Sequence, residues 1–173
     1  WTALVLVASM MFFAYMFVDV LSPLSTLLES TKGWTAETYG TFCSSEYFLN
    51  VFAFFLIFAG IILDKMGIRF TGILSGSVMV IGAAIKLYAV SDWFTADSAL
   101  YSFLNSFWAS FPPTAKLASV GFMIFGCGVE MAGVTVSKAI AKWFKGKEMA
   151  LAMGLEMAIA RLGVFAVFRL SPY

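Results

Sequence analysis

Apolar residues along this chain run in long unbroken blocks, and the polar residues collect between them, a pattern of crossings rather than of surface helices or strands. Each of five blocks reaches the roughly 20 apolar residues that a helix needs to span a bilayer. They predict helices over about 1–28, 36–63, 70–90, 117–143 and 148–170. Asp19 interrupts the first, and Glu29 to Thr35 reads as a turn into the second. In the third, Gly72, Ser75, Gly76, Gly82, Ala83 and Ala84 favour close helix packing. Residues 91–116 are the least membrane-like stretch and hold Asp92, Asp97, Pro112 and Pro113. Their aromatic residues, among them Trp93, Phe103, Phe107 and Trp108, keep them amphipathic and predict a short helix lying at the outer interface.

The fold class that follows is all-α, a polytopic membrane helical bundle. Composition agrees: 61% of residues are hydrophobic and 12% charged, against about 45–50% and about 25% in soluble domains. A net charge of +1 leaves no footprint for nucleic acid. With no His anywhere, a His-based metal or catalytic site is excluded. Cys43 and Cys127 fall inside predicted helices without ligand spacing and read as small buried apolar residues. No nucleophile–base pair is recognisable, so no catalytic residue, metal or cofactor is expected, and the protein is not expected to be an enzyme. The Met residues, such as Met10, Met11, Met16, Met153 and Met157, read as packing. The expected partners are a small-molecule solute and the lipid bilayer. Trp1 already lies in an apolar run, and an odd fifth crossing closes no bundle, so a further part of the same chain is expected as a partner as well.

Lys and Arg counts near helix ends set the orientation. Lys65, Arg69, Lys138, Lys142, Lys145 and Lys147 lie on one side, Lys32 and Lys116 on the other with Lys86 close by, so the first side and the N-terminus are expected to be cytoplasmic. Between the second and third blocks stands Gly60-Ile61-Ile62-Leu63-Asp64-Lys65-Met66-Gly67-Ile68-Arg69, which fits G-x-x-x-D-[RK]-x-G-x-[RK]. Gly60 would let another helix come close, and Asp64 would offer a carboxylate to a neighbouring helix N-terminus. Gly67 permits the reversal, while Lys65 and Arg69 hold the loop inside and can pair with Asp64.

Ionisable groups within membrane helices cost roughly 2.5–3.5 kcal/mol each, so they are candidates for function. Here they are Asp19, Glu46, Lys86, Glu130, Glu156 and Arg161. Glu130 lies 13 residues before Trp143 and Arg161 lies 13 after Glu148, which puts them at one depth. An acid and a guanidinium at one level can pair when empty and then take the ammonium and carboxylate of a dipolar solute, or they can form a structural ion pair. Gly126, Gly133 and Ser137 share the face of Glu130 and either line a cavity or serve packing. Tyr15 with Asp19, and Glu46 with Asn50, are expected to line the entrance or carry a proton. Glu156 and Lys86 are expected to partner groups that the sequence does not disclose.

The loop at 60–69 resembles the signature loop of the major facilitator superfamily. A second block, Ser137 to Leu155 followed by Ala160-Arg161-Leu162-Gly163, is similar to the fourth-to-fifth helix region of the branch that holds lysosomal dipeptide transporters and their bacterial relatives. The resemblance implies the major facilitator fold, with five of the first six transmembrane helices present, and two halves rocking about a midplane site. In that branch a helix-four Glu and a helix-five Arg contribute to substrate binding, which by motif position are Glu130 and Arg161. The Gly-Pro pair of drug antiporters in helix five and the helix-two Arg of nitrate porters are missing. The expectation is a secondary transporter of a zwitterion such as a dipeptide or amino acid, with an organic-anion facilitator or a non-transporting scaffold or sensor as alternatives. The cell inner membrane is the expected home, or the lysosomal membrane in a eukaryote.

Overall fold

A computed structural model describes residues 1–170 except 97, 109 and 147, so Asp97, Lys147 and the closing Ser171 to Tyr173 lie outside the described residues. The chain is helical: α1 Thr2–Val18, a 3-10 turn Ser22–Leu24, α2 Ser25–Lys32, α3 Ala36–Phe52, α4 Phe55–Val90, α5 Ala99–Asn105, α6 Pro113–Trp143 and α7 Met149–Leu170. Four stretches are long and apolar enough to cross a membrane: Thr2–Lys32, Phe55–Val90, Pro113–Trp143 and Met149–Leu170.

Local chemistry explains where these helices stop. α1 ends at Val18, and Pro23 opens the 3-10 turn at a position where its missing N–H costs nothing. α2 stops at Gly33, which takes the left-handed conformation (φ 69°) while Trp34 N–H bonds back to Leu28 C=O. Thr35 then caps α3, its hydroxyl accepting from Thr38 N–H. The second crossing is not the single helix expected over 36–63. It breaks after Phe52, with Phe54 held left-handed (φ 49°), and resumes as α4. At Gly67 (φ 81°, ψ 170°) α4 reverses. Asp64 before the turn and Gly72 after it both lie near the same end of α6, against Lys138 and Thr135, while Met79 and Lys86 sit progressively farther along α6, against Gly128 and Gly121. The first crossing, expected as one helix over 1–28, is broken as well, between Val18 and Ser25, so two of the five apolar blocks are interrupted and three are continuous.

α6 is the axis of the bundle, buried along most of its length. α3 runs parallel to it: the Trp34 indole donates to Thr114 (2.9 Å), and Phe42 stacks on Phe122 with centroids 4.7 Å apart. The second part of α4 runs antiparallel along a glycine seam. A Cβ on Gly82 would stand 2.5 Å from Phe125 N, one on Gly121 2.8 Å from Lys86 N, and one on Gly128 2.9 Å from Ser75 O. Backbones come that close only where a glycine on one side leaves out the Cβ that would stand between them. α7 pairs with α1, where Gly163 faces the Phe12 carbonyl, and Met10, Met11 and Met153 pack into the core between α1, α6 and α7. Large apolar side chains such as Leu6, Phe13, Ile73, Val80, Leu87 and Phe165 point outward, as they must toward lipid.

The two ends differ. At one end lie the Gly67 turn and the α6–α7 turn, and Trp1 packs on Phe144 there. At the other, Lys32 pairs with Asp92 at 2.9 Å. Lys116, expected at a loop, is instead buried and donates to the carbonyls of Leu104 (2.6 Å) and Phe107, fastening α5 to the start of α6.

Candidate functional site

Asp64 pairs across helices. Its carboxylate accepts from Lys138 Nζ of α6 at 2.5 Å, and the same ammonium reaches Leu63 C=O at 3.5 Å. Lys65 and Arg69, expected as partners within the loop, form no ion pair with it among the described residues. The reason is reach: Lys138 approaches from a rigid neighbour, whereas Lys65 follows Asp64 directly and points elsewhere on the helix. Gly67 adopts the positive φ that the reversal requires. Gly60 has nothing within 4 Å of a notional Cβ, so no helix among the described residues comes close to it.

Glu130 and Arg161 form no ion pair. The guanidinium of Arg161, on an exposed face of α7, lies over the ring of Tyr15 on α1, 5.4 Å from its centroid. Tyr15, read from the sequence as an entrance residue, is thus the seat of the arginine. Glu130 is half-buried on α6. Glu46 is 6% exposed on α3 and within electrostatic reach of Glu130. Tyr47 was missed by sequence reasoning, being one of many exposed aromatics; it lies within reach of Glu46, Glu130 and Tyr15 together. The structure therefore seats Arg161 of α7 on Tyr15 of α1 and sets Glu46 of α3 against Gly126 of α6, one turn from Glu130; among the described residues no ion pair joins these acids to the arginine.

Asn50 stands one turn beyond Glu46, just before the break after α3, and neither its amide nitrogen nor its oxygen has a hydrogen-bond partner among the described residues. Asp19 joins a different set. It accepts from the Ser22 hydroxyl (3.3 Å), which in turn accepts from Tyr39 of α3 (3.1 Å). Gly126, which the sequence left between cavity and packing, is a packing residue, its Cα facing the Glu46 carbonyl; Gly133 meets only the Met11 methyl at 3.8 Å. Lys86 has protein partners after all, and Glu156, 9% exposed, has no ion pair among the described residues. Cys43 and Cys127 are free thiols. Among the described residues no group of acidic, Cys or His side chains could hold a metal ion.

The chain is 31% identical over 107 residues to the lysosomal dipeptide transporter MFSD1 of Bos taurus, covering 61% of this chain and 19% of that protein. The counterpart in Gallus gallus is 40% identical over 65 residues, 38% of this chain and 13% of the relative. That in Danio rerio is 33% identical over 115 residues, 66% and 20%. The matched stretch is similar to sequence of these major facilitator transporters. The chain spans at most about a fifth of the length of the curated relatives it matches. No family model matches it, and no solved structure matches it significantly. Its all-helical architecture, with four stretches among the described residues long and apolar enough to cross a membrane, is consistent with a major facilitator bundle.

Proposed function

We propose that the intact protein is a secondary transporter that moves a dipeptide-like zwitterion by alternating access, and that this chain supplies part of its first half. The observation that carries the reading is the separation of charges: Arg161 rests on Tyr15, and among the described residues neither Glu130 nor Glu46 forms an ion pair. A guanidinium seated on an aromatic ring keeps its donor edge available for a carboxylate, and an unpaired acid accepts an ammonium. The dipeptide transport stated for the relatives agrees with such a dipolar ligand. In this reading the Gly67 end faces the cytoplasm, as its Lys and Arg residues require. Asp64–Lys138 ties α6 to the second crossing there, and the tie has to open as the halves rock.

The test is uptake and binding by the purified full-length protein in proteoliposomes. A dipeptide should bind, and its N-acetylated form and a dicarboxylate should not. Arg161→Ala should lose at least about tenfold in affinity, as removing a charged hydrogen-bond partner does, and Glu130→Gln should weaken dipeptides selectively. Uptake intact in Arg161→Ala at normal expression would remove the arginine from the binding site. Dicarboxylate binding that ignores Glu130→Gln would favour an anion facilitator instead.

A further inference from the structure

Lys86 is a buried cation, 3% exposed, that the proposed binding chemistry does not use. It sits in the second part of α4 and donates to the Phe17 carbonyl of α1 at 2.8 Å. Its ammonium lies over two rings of α6, 4.2 Å from the Phe122 centroid and 4.8 Å from that of Phe125. α1 ends at Val18, so the carbonyls of its last turn lack the following N–H groups that would satisfy them inside a helix. The bond from Asp19 N–H to Tyr15 C=O is stretched to 3.5 Å. A cation at this spot satisfies an orphan carbonyl and complements the negative end of the helix dipole. Beyond the break, the Tyr39–Ser22–Asp19 chain holds the other side. Tyr15, the seat of Arg161, belongs to the turn so fastened.

We propose that Lys86 is a positioning residue: by tying off the last turn of α1 from α4 and α6, it holds Tyr15, and with it Arg161, in place for the solute. This rests on the proposed function for its effect on transport, but the tie itself does not. The rival role is charge balance, because Asp19 and Glu46 are the acids within electrostatic reach of Lys86. The two roles separate in a double variant, since Glu46→Gln removes the first of the two acids that charge balance would serve and does nothing for the Phe17 carbonyl.

The experiment uses the full-length protein with Lys86→Met, Lys86→Arg, Glu46→Gln and Lys86→Met/Glu46→Gln. Dipeptide KM should rise on the order of tenfold in Lys86→Met with the maximal rate within about twofold, and should rise as much again when Lys86→Met is added to Glu46→Gln. Lys86→Arg, which can still reach the carbonyl, should stay within about threefold of the wild type. A double variant with the KM of Glu46→Gln alone, or a Lys86→Met KM that does not move, overturns the proposal. Hydrogen exchange over residues 15–20 reads the tie without any ligand: it should accelerate on the order of tenfold in Lys86→Met and in the double variant, but not in Lys86→Arg. Unchanged exchange there overturns the positioning role even if the wild type binds no dipeptide, a result that would sink the transport reading alone. If Lys86→Met cannot be purified, Phe122→Leu/Phe125→Leu unseats the ammonium from α6 and must give the same two changes.

Discussion

Two glycines on one helix should respond to the same substitution with opposite signs. A Cβ at Gly82 would stand 2.5 Å from Phe125 N and 2.7 Å from both Gly121 O and Phe125 Cα, whereas one at Gly76 meets nothing within 4 Å. Ordinary contact begins at 3.4 Å, so Gly82→Ala forces α4 and α6 apart by roughly 0.9 Å, and no rotamer change relieves a clash with backbone. Overpacking of this kind costs about 1–3 kcal/mol. Against it stands the gain of up to about 1 kcal/mol from replacing Gly by Ala within a helix. The net expectation is a loss of up to about 3 kcal/mol for Gly82→Ala and a gain of up to about 1 kcal/mol for Gly76→Ala. Thermal unfolding of the purified full-length protein in detergent, followed by tryptophan fluorescence, should place the first below the wild type and the second at or above it. A Gly82→Ala protein that melts with or above Gly76→Ala would falsify the close α4–α6 seam.

Other expectations follow from the ends of the bundle. Asp64→Asn breaks a largely exposed pair with Lys138, so stability should change by less than about 1 kcal/mol while uptake falls; normal uptake at normal expression would refute the gating role, and a mere scaffold would not respond. Lys32 holds the Asp92 carboxyl below the ordinary carboxylate range, through its hydrogen bond first and its charge second. A carboxyl lowered on folding contributes stability above its unfolded pKa of about 3.9 and loses it as pH falls through the folded value. The melting temperatures of wild type and Asp92→Asn should therefore differ by a constant small amount from neutral pH to about pH 5 and converge below about pH 4; a gap that opens on acidification would contradict the pairing. Thr114→Val removes the acceptor for the buried Trp34 indole and should cost about 1–3 kcal/mol in the same melting assay, whereas an unchanged midpoint would mean that the indole has another partner.

Much of the architecture was legible because a bilayer imposes crude rules on sequence. Length and hydropathy mark crossings, and a glycine that must reverse the chain marks the turn at Gly67. The broken second crossing was hidden, since Asn50 to Phe55 contains neither Gly nor Pro and continues the apolar run. The α4–α6 seam was half visible. Small residues on both sides announced close packing, and only the fold showed which glycine meets which backbone.

The site divides in the same way. Sequence alone determined which ionisable residues fall inside the long apolar stretches and how far along each they stand, because position along a helix follows from a constant rise per residue. It could not determine rotation about the helix axes or which helices become neighbours. Those choices seat Arg161 on Tyr15 rather than on Glu130, join Asp64 to Lys138 rather than to its own loop, and bury Lys86 against Phe17. Equal depth is a one-dimensional property of a chain, whereas an ion pair needs two side chains to converge in three dimensions, and only packing around α6 supplies that.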